Sequence, residues 1–190
     1  VTVSLGLKIS VPIWVLFVSV ILTALVISLW IRKNPEEMSA DRKMFLEAME
    51  LLPENGSMAF LKDQDFVNDF RSSEPDQLFR FASIASSRPG FKFHDKKMEI
   101  ARGELCESII KMNGIMAIET FPHYHLRDWQ EVPGVEEMLD GGRVSREKAV
   151  EIHKTRVDLL NSCAFETYKL YAKYVSLGVK RLKVHLSIKG

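Results

Sequence analysis

The chain is short of the residues and motifs that build the commonest catalytic sites. Its 190 residues include only two cysteines, Cys106 and Cys163, without CxxC spacing and each set in an apolar pattern of helical period. Such cysteines read as small core residues in a reducing compartment, and they leave no disulfide framework. There is no Walker loop, no GxGxxG after a strand, no GxSxG elbow and no HExxH, so nucleotide-driven chemistry and the usual hydrolase plans have no support. Glu-x-x-His is also missing, which disfavours a ferritin-like di-iron bundle. Acid is missing from one end: all 25 Asp and Glu lie between Glu36 and Glu166, while six Lys and Arg stand from Thr167 onward. An acidic body disfavours a nucleic-acid partner, whose signature is a basic face. Internal repeats and low-complexity tracts are absent too.

What is present begins with "VPIWVLFVSVILTALVISLWI", residues 11–31, without a charge. As a helix this run would reach roughly 32 Å, enough for a bilayer core. Trp14 and Trp30 stand near its ends as interfacial anchors, and Arg32 and Lys33 follow it. A signal peptide would have a shorter apolar region and a small-residue cleavage site. With Lys8 alone before the run and Arg32, Lys33, Arg42 and Lys43 after it, the basic residues predict a short external N-terminus (1–10) and a cytoplasmic body. A juxtamembrane linker (32–38) would join that transmembrane helix to the body.

The body, residues 39–178, reads as mainly α-helical. Ser39 can cap a helix carrying Met44, Phe45, Ala48, Met49, Leu51 and Leu52, which "PENG" stops. A second helix is expected from about Glu74 to Ser86, before "RPG". Asp95 can cap a long amphipathic helix in which Met98, Ala101, Leu105, Ile109, Met112 and Met116 advance by three or four, ending before Pro122. "VEEMLDGG" allows a short helix. Ser145 then starts the longest run, with a stripe from Ala149 to Val175 ending at Gly178. The two long helices are expected to pair antiparallel within a bundle. The end of the chain (179–190) alternates Leu182, Val184, Leu186 and Ile188 with polar residues, the period of a strand, and is basic through Lys180, Arg181, Lys183 and Lys189. Those cations could meet anionic lipid or a partner.

Several pieces, "FLKDQDF" with Phe70 after it, "LFRF", "FKFHDKKME" and "ETFP" followed by Trp129 and Glu131, resemble a family of small uncharacterised bacterial proteins, some with one N-terminal membrane span. The resemblance covers about half the chain and implies a bacterial inner-membrane location. It brings no established activity.

The most suggestive stretch for chemistry is "ETFPHYHLRDW". Glu119, His123, His125 and Asp128 could offer two imidazoles and two carboxylates to zinc or another divalent metal. The rival is a loop whose Phe121, Tyr124 and Trp129 anchor it to the bundle, with the histidines serving local hydrogen bonds; nothing in the spacing fixes a third ligand. The "HD" at His94 and Asp95 is better explained as a helix cap. The expected function is therefore a membrane-tethered helical binding or assembly module without a cofactor or catalysis, its partners a lipid bilayer and a protein or second copy. The alternative is a membrane-tethered metal-dependent hydrolase or nuclease on the His123 and His125 loop.

Overall fold

A computed structural model describes residues 2–5, 9–123, 125–140 and 144–184. The chain forms two compact units, Val1–Ala40 and Asp41–Gly190. In the first, strands β1 (Thr2–Leu5) and β2 (Ile9–Pro12) pair antiparallel, Thr2 opposite Pro12 and Leu5 opposite Ile9. Helix α1 (Ile13–Leu51) begins in this unit and ends in the second.

This start corrects the transmembrane reading of 11–31. Val11 and Pro12 belong to β2, and among the described residues no helix is long and apolar enough to cross a membrane. Trp14 is exposed, and the side chains of Trp30, Arg32 and Lys33 lie outside those described. Nor is there a linker at 32–38, because α1 continues through Pro35, which removes one backbone donor without ending the helix. Ser39, the expected cap, is therefore inside α1.

The second unit is built on a pair of long helices, α4 (Lys96–Glu119) and α6 (Arg146–Leu182). They run antiparallel, as contacts along their length show: Asp95 with Arg181 at 2.6 Å, Glu104 with Lys173 at 2.6 Å, Ser108 with Thr167 at 2.8 Å and Glu119 with Arg156 at 3.0 Å. The α4 stripe from Met98 to Met116 is buried throughout, and α6 buries Val157, Leu160, Ala164, Tyr171 and Tyr174 in the same core. Burying a Leu- or Met-sized side chain stabilises by about 2 kcal/mol, so this seam outweighs any one surface contact. Phe45 and Ala48 from the end of α1 and Leu52 just after it complete the core, with α2 (Ser57–Asp63) and α3 (Asp76–Ser87) packed beside it. Cys106 and Cys163 are free and buried, and burial pushes both thiols up, as befits inert core residues.

The ends of these helices meet at one place. Asp41 of α1, 2% exposed, accepts the amides of His94 and Asp95, both at 2.9 Å. Asp95 in turn caps α4 by accepting from the amides of Lys97 (2.9 Å) and Met98 (3.2 Å). The neighbouring Arg42 donates from Nε to the carbonyl of Leu182 at 2.6 Å, closing the far end of α6. Lys183 follows in a left-handed conformation, φ 52°.

That far end lies past Gly178, the expected stop. Gly178 is inside α6, and a Cβ built on it would collide with the ring of Phe45, itself fully buried and packed on Tyr174 at 5.5 Å between centroids. The glycine serves close packing between α6 and α1 and does not break the helix. Leu182, read as the start of a strand, is a buried helical residue; Lys180 and Arg181 are helical, and residues 185–190, including Lys189, lie outside those described.

Two predictions follow from this packing. Gly178→Ala should lower unfolding free energy by about 1–3 kcal/mol in a denaturant titration, although alanine is the better helix former by about 1 kcal/mol, because the Phe45 ring has nowhere to move. The second concerns acid. Burial opposes ionisation of Asp95 and Glu99, yet hydrogen bonds from Arg181 and the amides of Met98 and Lys97, and from Arg102 and the Phe93 amide, outweigh it and hold both carboxyls below their usual range. Lowered folded values mean stabilisation that is complete above the unfolded carboxylate range and lost as pH falls through them. Stability should therefore decline from about pH 5 downward, and Asp95→Asn, which keeps a capping oxygen, should flatten that decline while lowering neutral-pH stability by about 1 kcal/mol.

Candidate functional site

After α4, Thr120 is buried and donates its hydroxyl to the carbonyl of Met116 at 2.8 Å, also approaching Gln130 Oε1 at 3.1 Å. The chain then enters β4 (Phe121–Pro122), turns, and returns as β5 (Trp129–Glu131). On the other edge of β5 lies β3 (Phe70–Arg71), which makes an antiparallel sheet in the order β3-β5-β4. Phe70 opposes Gln130, and Phe121 opposes Glu131. β3 is held from below by an aromatic triangle of Phe60, Phe66 and Phe70, with centroids 5.4 to 5.8 Å apart.

The histidines divide their roles in the turn. His123 Nδ1 accepts the amides of His125 (3.0 Å) and Leu126 (3.1 Å), while its own amide donates to the carbonyl of Trp129 at 3.0 Å. The imidazole thus does for this turn what an Asn or Asp side chain does for an Asx turn. Asp128 takes φ 65°, and its carbonyl accepts from the amide of Ser72 (2.8 Å) and from its hydroxyl (3.2 Å), tying the turn to the end of β3. Arg71 lies over the Trp129 ring at 5.7 Å.

With Nδ1 accepting, the proton of a neutral His123 sits on Nε2. That nitrogen faces Asp69 Oδ2 and Glu131 Oε2, each at 3.5 Å. Among the described residues these three side chains form the group with metal-ligand spacing, their donor atoms within 4.8 Å of one another. Of the four ligands expected from sequence, only His123 belongs to it. Glu119 is engaged by Arg156, Asp128 contributes its carbonyl to Ser72, and the His125 ring stands 6.1 Å from that of His123 between centroids. His94 gives its amide to Asp41, and His153 Nδ1 contacts the carbonyl of Pro133 at 2.9 Å. Among the described residues the histidines do not converge on one site.

Phe121 is 49% exposed, so it does not anchor the loop as expected, and Tyr124 lies outside the described residues. The anchoring falls to buried Thr120 and Val132. Asp69 and Glu131 escaped the sequence reading for different reasons. Glu131 is reachable by counting across a hairpin once β4 and β5 are paired, but Asp69 arrives with β3 from before α3.

A different surface is the exposed side of α4. Its exposed residues include Ile100 (60%), Ile110 (54%) and Ile118 (68%), together with Glu107, Lys111, Asn113, Gly114 and Ala117. Beside it a shallow cleft of about 330 Å³ runs between α3, α4 and the sheet, lined by Phe79, Asn113, Met116, Ala117 and Pro122.

The fold and site together describe a helical protein, a long antiparallel pair with a small sheet at one end. Set against protein-family models, curated proteins and solved structures, the chain matches none.

The role given to His123 can be checked by amide exchange. His123→Ala should speed exchange at His125 and Leu126, by an amount corresponding to about 1 kcal/mol of lost hydrogen bonding, and His123→Asn should restore part of the protection.

Proposed function

We propose that the chain is a helical binding or assembly module that works through a surface and not through catalysis. The observation that carries this reading is the outward side of α4, where three isoleucines, each more than half exposed, share one helix. Single exposed apolar residues are ordinary, but three of them on a helix already buried along its other side are the pattern of a docking face. The adjoining cleft is open and shallow, a shape suited to the edge of a macromolecular contact and unlike the concave pocket a small substrate requires.

A metal-dependent hydrolase or nuclease is the second reading, favoured by the grouping of His123, Asp69 and Glu131. Against it stands the hydrogen bonding of His123. A metal-bound Nε2 has no proton and leaves Nδ1 as donor, whereas here Nδ1 accepts two amides. Binding a cation through Nε2 would therefore dismantle the turn that positions the ring.

The two readings separate in one set of measurements. Replacing Ile110 or Ile118 with Asp should leave the unfolding free energy within about 0.5 kcal/mol of the parent, since both side chains are on the surface, and should weaken the contacts the chain makes in quantitative crosslinking. Calorimetric titration with Zn²⁺ should show no binding that depends on His123. Unchanged crosslinking in both isoleucine variants, or micromolar Zn²⁺ binding abolished by His123→Ala, would reverse the preference.

A further inference from the structure

The outer side of α4 has an order that says what covers it. The two exposed charges near its middle, Glu107 and Lys111, are of opposite sign, and among the described residues neither forms an ion pair. They lie symmetrically about position 109, and so do Ile100 and Ile118, the most exposed apolar residues of the helix. An antiparallel copy of α4 laid across this side with its twofold axis at 109 would place Ile100 against Ile118 of the other copy. The same placement sets Glu107 against Lys111, twice. Gly103 and Gly114, where an added Cβ would meet nothing within 4 Å, fall close to opposite each other and leave room for the two backbones to approach. Self-complementarity of this sort is what a twofold interface between identical chains requires, because each residue must be answered by its partner's equivalent surface. An unrelated partner would impose no relation between the two halves of the helix.

We infer that this side of α4 binds the α4 of a second copy of the chain, antiparallel and about a twofold axis through position 109. The inference rests on the reading of α4 as a docking face and names its occupant. One helix face gives a contact at the small end of protein interfaces, so the dimer forms reversibly, with dissociation in the micromolar range or weaker. Two symmetry-related ion pairs fix the register and direction, and the isoleucines supply the apolar area.

Sedimentation velocity of the full chain across a concentration series tests this through charge reversal. Glu107→Lys and Lys111→Glu should each weaken dimerisation about tenfold, since either change sets like charges opposite each other twice. The double variant Glu107→Lys/Lys111→Glu should recover the parent's affinity, because the twofold restores both pairs with their signs exchanged. Circular dichroism should show all three folded alike, as the positions are on the surface. Failure of the double variant to recover, or a parent chain monomeric at the highest concentration reached, overturns the inference. If the parent is monomeric yet Ile118→Asp still removes a crosslinked species, α4 remains a docking face for a different partner; if Ile118→Asp changes nothing, that wider reading falls as well.

Discussion

Asp41 accepts the two amides that precede α4, and most of the second unit is arranged by that contact. A carboxylate removed from water is costly unless its oxygens find donors, so burying Asp41 obliges His94 and Asp95 to turn their amides toward it. Once Asp95 is held there, its own carboxylate faces the first turn of α4 and the guanidinium of Arg181. Arg42, one residue on, reaches the carbonyl of Leu182. Three helices are thereby brought to a common level: α4 starts there, α6 finishes there, and α1 passes alongside. The antiparallel pairing of α4 and α6 then follows along their whole length, with Phe45 pressed into the gap that Gly178 leaves.

The far end of the pair is governed by weaker and more local forces. There the sheet has only two or three residues per strand, and short strands hold through side chains as much as through backbone pairing. Thr120, the His123 ring, the Asp128 carbonyl and the phenylalanines beneath β3 supply what the ladder lacks. The histidine that looked most like a ligand is thus absorbed into the backbone of its own turn, and the carboxylates near it meet its N–H. Among the described residues one buried hydroxyl, that of Tyr174, has no hydrogen-bond partner, and burial pushes its ionisation well up; its neighbour Tyr171, pushed up to about 12 by burial, donates to the carbonyl of Leu52 at 3.1 Å.

Periodicity made much of the helical core readable in advance. The α4 stripe was legible residue by residue because a helix against a core must be apolar every three or four positions. Asp95 was legible as a cap, since its side chain acts within three residues of itself. Gly178 was misleading because glycine marks both helix ends and close approaches, and only the position of Phe45 tells them apart. Residues 11–31 misled in another way: hydropathy averages over a window and does not see that Val11 and Pro12 are taken into a hairpin with β1.

The sequence by itself determined what depends on near neighbours along the chain: helical periods, the caps at Asp95 and Ser145, and the lack of any linear catalytic motif. Tertiary structure alone decided what depends on residues far apart. It set Asp69 and Glu131 beside His123, answered Glu119 with Arg156, and left one side of α4 uncovered. The reason is physical. Local backbone preferences act over a turn or two, whereas the meeting of distant side chains is fixed only when burial of the whole core chooses one packing among many.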